Sequence, residues 1–138
     1  MAEIKIEGEG ENLSQEIRIL SAIGYLPMLF FLPLILRPKD GFCRFHGIQS
    51  LVILLALATV WVAIYILDFI LGKVLGSMIL WGFIFKITAW LVHYVAGTAI
   101  SILYILLIIY CFIQAAAGQR WRVPVLGAYA ERLHIRYE

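Results

Sequence analysis

The sequence predicts an all-α, polytopic helical membrane protein: a small bundle of three or four transmembrane helices with a short amphipathic helix at the C-terminus. Three observations carry this. Apolar residues make up 63% of the chain and charged residues 14%, against about 45–50% and about 25% in soluble domains. A chain of 138 residues has too little interior to hide so much apolar surface from water. Residues 19–36, 45–67 and 87–119 contain no Asp, Glu, Lys or Arg, and about 20 apolar residues cross about 30 Å of hydrocarbon.

The opening "MAEIKIEGEGENLSQE" carries five glutamates and one lysine. It lacks the basic start, short apolar stretch and small-residue cleavage site of a signal peptide. Residues 1–14 are therefore expected to stay on the mature protein as an acidic, disordered head, with Asn12 and Gln15 reading as a capping box. The transmembrane domain covers 15–118, with its first span at about 17–36. Pro27 and Pro33 each remove a backbone donor and crowd the carbonyl four residues back, at Ile23 and Leu29. This helix should kink, with its freed carbonyls served by neighbours.

The stretch "RPKDGFCRFHGIQS" (37–50) turns the chain. Pro38 disfavours helical geometry at Arg37, and Asp40 reads as the N-cap of a second span over 42–68. On that span Ala56, Thr59 and Ala63 share one face, and small residues there let another helix approach closely. His46, Gln49 and Ser50 also share a face, placed to hydrogen-bond a neighbouring helix.

Residues 73–118 allow two readings. As one helix they would be about 69 Å long, too much for a single span. They can form two spans, 74–92 and 97–117, turning near "HYVAG" (93–97). Alternatively an interfacial segment reaches about Lys86 and one long span comes after it. A mid-membrane lysine costs about 2.5–3.5 kcal/mol or more, which opposes the first reading. Gly82, Lys86, Ala89 and His93 share a helical face, however, so Lys86 and His93 can form an intramembrane polar face inside a bundle. Four spans are preferred on that ground. Asp68 and Lys73 read as a solvated interfacial pair.

Residues 119–138 form a basic-aromatic interfacial tail. Gly118 is a natural helix end, Trp121 between Arg120 and Arg122 suits the headgroup level, and Pro124 breaks the chain. Beyond it Leu126, Tyr129, Ala130, Leu133 and Tyr137 make one stripe of a surface helix. The bias of Lys and Arg between loops puts this tail on the cytoplasmic side with either span count.

No catalytic residue, metal or cofactor is expected. Cys43-x-x-His46 is half of a zinc site with no third ligand near in sequence. Cys43 and Cys111 lie in a loop and a span and do not make a disulfide framework. There is no nucleophile–base motif, phosphate loop or metalloprotease helix, and no basic cluster suited to nucleic acid. An aqueous pore through one copy is also disfavoured, because so few polar side chains cannot line it.

Two fragments together resemble a known family. "YLPMLFFLPLILRPKDGFCRFHGIQSLVI" ends one span and opens the next with Phe-His-x-x-Gln. "IQAAAGQRWRVPVLGAYAERL" ends the last span with small residues, an aromatic-basic cluster and Pro-x-x-Gly. The ordering is similar to small bacterial membrane proteins of unknown function grouped with the Tic-twenty-like component of the chloroplast inner-envelope import machinery. The resemblance covers most of 17–133 and is poorest over 68–93. It implies a helical, three- or four-span protein of the bacterial inner membrane. Arg44, Phe45, His46, Gln49, Gly118, Trp121, Pro124 and Gly127 are then packing and interface signatures rather than catalytic ones. The expected function is non-enzymatic. The chain would act through helix–helix contacts in a membrane assembly, related to protein translocation or membrane organisation, with the lipid bilayer, a second copy or other membrane proteins as partners. The alternative is a small-solute or ion transporter or channel subunit working as an oligomer and using Lys86, His93 and His46.

Overall fold

Helix formation in this chain is limited by glycine and proline, and the places where they interrupt it define the architecture. The computed structural model describes residues 14–136, and the head read over 1–14 lies almost wholly outside them. The described residues form six α-helices: α1 (Gln15–Ile23), α2 (Phe31–Leu36), α3 (Gly41–Asp68), α4 (Gly82–Leu91), α5 (Gly97–Ala116) and α6 (Leu126–Arg136). A π-helical turn, Phe69–Val74, and a 3₁₀ turn, Leu75–Ser77, extend α3, and a second π-helical turn, Val92–Ala96, joins α4 to α5. Among the described residues there is no strand.

Two continuous helical stretches result, Gly41–Ser77 of 37 residues and Gly82–Ala116 of 35. Both are long and apolar enough to cross a membrane. Only 22% and 11% of their most apolar windows are buried inside the protein, so these are not the core helices of a water-soluble fold. The chain divides into two compact units. One gathers the residues up to Ile53 with those from Ile108 onward, and the other is Leu54–Leu107.

In the first unit the expected kinked span is two helices instead of one. α1 stops at Ile23, and the chain runs irregularly through Gly24–Phe30, with Met28 at φ 67°. Pro27 cannot supply the N–H that a continuing helix would need. The freed carbonyls are taken by tighter turns: Leu26 N–H donates to Ile23 at 3.0 Å and Leu32 N–H donates to Leu29 at 3.0 Å. Gly24 is required because a Cβ there would come within 2.8 Å of Pro33 Cγ. Ser14 occupies the N-cap position of α1 without a side-chain capping bond, and Asn12 of the expected capping box lies outside the described residues. α3 starts as its sequence predicts, with Asp40 Oδ1 accepting from the N–H groups of Phe42 and Cys43, both at 2.9 Å.

α5 ends in a Schellman arrangement. Gly118 takes φ 79°, its N–H donates to Ala115, and Gln119 N–H donates to Gln114 at 2.9 Å.

In the second unit the chain reverses at Met78–Trp81, between the 3₁₀ turn and α4. The turn expected near 93–97 is absent: those residues continue the helix, first as a π turn and then as α5. The bounds 74–92 and 97–117 therefore do not coincide with chain reversals. Gly97 lies where that helix receives the Trp61 indole, whose Cη2 stands 3.1 Å from where a Cβ would be. The reversal at 78–81 depends on two glycines. A Cβ on Gly82 would lie 2.5 Å from the Gly76 carbonyl oxygen.

Gly82→Ala should therefore open the reversal and destabilise the protein by about 1–3 kcal/mol, the usual cost of overpacking. Gly72→Ala, whose Cβ would meet only ordinary contacts at 3.5 and 3.6 Å, should be nearly neutral. Thermal unfolding of both variants in detergent checks the contrast.

Candidate functional sites

Each unit carries a cluster of polar side chains. The first is built where the broken segment after α1 meets the start of α3 and the chain after α5. The Asp40 cap fixes where α3 begins, so Cys43, His46, Gln49 and Ser50 turn inward together, and all four are buried. Tyr25, in the non-helical stretch, is buried against them. Gln49 Nε2 donates to the Tyr25 hydroxyl at 2.9 Å and to the Trp121 carbonyl at 3.2 Å. A carbonyl only accepts, so this bond fixes which end of the Gln49 amide faces Tyr25 and Trp121. The Tyr25 oxygen accepts from Gln49 and shares a second hydrogen bond of 2.8 Å with His46 Nδ1. Ser50 Oγ donates to the Gly24 carbonyl at 2.6 Å, and Ser21 Oγ donates to Cys43 Sγ at 3.3 Å.

The His46 ring sits edge-on among Tyr25, Phe42 and Phe45, with centroids 5.6, 4.5 and 5.1 Å away. Its Nε2 and the Gln49 Oε1 are buried without a hydrogen-bond partner. The Gln119 backbone is near the imidazole, outside hydrogen-bond geometry.

Arg44 is half-buried, while Pro124 is exposed and accepts from Leu126 N–H at 2.8 Å. Gly127 is buried, and a Cβ on it would stand 3.1 Å from Arg122 Cβ. The Trp121 ring lies edge-on to Tyr110 at 4.6 Å, and the Arg120 guanidinium lies 5.9 Å from the Phe42 ring. Cys43 and Cys111 are both free thiols. Among the described residues no three His, Cys, Asp or Glu side chains converge on a metal position.

The second cluster lies in Leu54–Leu107. A cavity of about 270 Å³ is lined by Asp68, Gly72, Lys86, Ala89, Trp90, His93 and Tyr94. The shared face read from Gly82, Lys86, Ala89 and His93 supplies three of its walls. Asp68 does not pair with Lys73 as expected. Asp68 Oδ2 instead lies 3.9 Å from His93 Nδ1, and Lys73 Nζ lies 5.8 Å from the Phe69 ring centroid. The Trp61, Tyr65 and Tyr94 rings surround His93 at 6.1, 5.7 and 5.2 Å. Both π-helical turns reach this cavity, one through Gly72 and the other through His93 and Tyr94, and such turns concentrate at functional sites.

Sequence reasoning missed Tyr25, and it paired Asp68 with Lys73 where the structure sets it beside His93. An aromatic residue with a polar tip, set between Gly24 and Pro27 where the helix must fail, was the available signal for the first. For Asp68 the π turn that comes after it has no sequence signature.

Tyr25→Phe keeps the ring but strands His46 Nδ1 and one Gln49 donor. It should cost about 1–3 kcal/mol of stability, the penalty for unsatisfied buried polar groups. Tyr129→Phe, at a position 58% exposed, should change little. Chemical unfolding in mixed micelles measures both.

No family model and no solved structure matches the chain. It is similar to a UPF0132 membrane protein of Methanocaldococcus jannaschii, with 29% identity over 104 residues, covering 75% of this chain and 59% of that protein. The chain thus spans about three fifths of the length of the curated relative it matches. This similarity supports a membrane protein of an uncharacterised family and does not extend to the chloroplast import component.

Proposed function

We propose that this chain is a non-enzymatic integral membrane protein that acts through helix–helix contacts in a larger assembly, with a second copy or another membrane protein as partner. Protein translocation or membrane organisation is the setting its first-unit signatures suggest. In this reading the chain is multi-pass in a bacterial inner membrane, with its tail in the cytoplasm. The observation that carries the proposal is the small-residue face of α3. Thr59 and Ala63 are exposed and Ala56 is half-buried, and the Thr59 hydroxyl is turned back onto the Leu55 carbonyl at 2.8 Å. Lipid tails are as apolar as leucine, so a flat face of this kind favours association by letting backbones approach closely. The first polar cluster supports the same reading. Its groups are spent on holding elements together, with Ser21, Cys43, His46 and Gln49 all buried and away from any open surface.

A second reading, a small-solute or ion transporter or channel subunit working as an oligomer, is favoured by the cavity that Asp68, Lys86 and His93 line. One experiment separates the two. Crosslinking in native membranes should trap a dimer or a partner, and Thr59→Leu with Ala63→Leu should abolish the product. Lys86→Leu should leave the crosslink intact, whereas a transporter reconstituted in liposomes should lose its flux with this change. A solitary monomer in native membranes would overturn the assembly reading.

A further inference from the structure

We propose that the cavity of the second unit binds a zwitterion, a molecule whose ammonium group meets Asp68 and whose phosphate or carboxylate meets Lys86. Such binding needs neither assembly nor flux and goes beyond both functions proposed for the chain.

Two opposite charges line one small cavity without neutralising each other. Lys86 has no ion pair among the described residues, and Asp68 has only the His93 ring at 3.9 Å. In apolar surroundings a lysine and an aspartate that could meet would be expected to pair, because isolated charges are costly there. Here each rests on a different glycine of the arm that carries Asp68. Lys86 Cγ and Cε lie 2.9 and 3.3 Å from where a Gly76 Cβ would stand, so its stem is laid across that glycine. Asp68 Oδ1 lies 3.6 Å from the corresponding point on Gly72. Gly72 and Gly76, one helical turn apart, thus clear separate seats for the acid and the base.

Between the seats the walls are Ala89, Trp90 and Tyr94. The two rings lie 5.3 Å apart at 41°, and such faces attract the C–H and N–H groups of an ammonium ion. About 270 Å³ is room for an ammonium and an anion joined by a short linker. Two sources carry this chemistry: an ethanolamine-type phospholipid headgroup and a soluble amino acid or phosphoamine.

The test uses the full chain in detergent and isothermal titration calorimetry. Dihexanoyl phosphatidylethanolamine should bind at least tenfold more tightly than dihexanoyl phosphatidylglycerol, which lacks the ammonium. N-acetylation of the ethanolamine headgroup should remove that advantage. Asp68→Asn and Lys86→Gln should each weaken binding tenfold or more, and Gly72→Leu should abolish it by filling the cavity while the helical circular dichroism is kept. Competition by O-phosphoethanolamine at equal strength would assign a soluble zwitterion, and dependence on the acyl chains would assign a lipid headgroup. Either result supports the proposal. Equal binding of the three lipids by the unaltered protein would overturn it, whether or not the variants fold. Unchanged affinity in the folded charge variants would do so as well.

Discussion

A backbone that leaves helical geometry in an apolar medium has to find its hydrogen bonds inside the protein, and that constraint organises the first unit. Tyr25 stands in the non-helical stretch between α1 and α2, and its hydroxyl joins His46 to Gln49. Through Gln49 the same group is tied to the Trp121 carbonyl beyond α5, while Ser50 takes the Gly24 carbonyl. Three segments far apart in sequence are therefore held by one chain of donors and acceptors. The close packing around it depends on glycine. Gly47 receives Leu34, whose Cγ lies 2.8 Å from where a Cβ would stand. Polar side chains here take the role that hydrophobic burial has in water, because lipid supplies no such driving force between helices.

The second unit uses the same elements differently. Its polar groups border an open cavity instead of closing on one another, and π-helical turns in both arms border it. Asp68 faces His93 across the hairpin, 3.9 Å away. The aromatic rings around His93 restrict its orientation. The contrast between a closed network and an open one separates what stabilises this protein from what can meet a ligand.

The class of the chain was legible in its composition alone, because apolar runs of this length have few alternatives. Local chemistry was legible wherever one residue dictates geometry. Asp40 caps α3, Gly118 terminates α5 with a positive φ, and His46, Gln49 and Ser50 share an inward face. Pro27 announced an interruption, but its severity depended on Gly24, Tyr25 and Pro33 acting together, which spacing does not reveal. The reversal at 78–81 was hidden for a related reason. "GSMILWG" carries no charge and is mostly apolar, so hydropathy cannot separate a turn from a span, whereas the requirement for glycine at 76 and 82 is a property of close backbone approach. Residues 93–97 looked like a turn because they hold a histidine, a tyrosine and a glycine, yet here the glycine makes room for Trp61.

The Tyr25 hydroxyl and the Gln49 amide act as one unit linking the broken first span to α3 and the tail, and the stability of the first unit rests on that link. The decisive measurement is a double-mutant cycle of Tyr25→Phe and Gln49→Leu, read by reversible unfolding in micelles. The double change should cost less than the two single changes added together, with a coupling of about 1 kcal/mol or more, as expected for groups in one hydrogen-bond network. Additive costs within about 0.3 kcal/mol, the behaviour of independent sites, would contradict a shared unit.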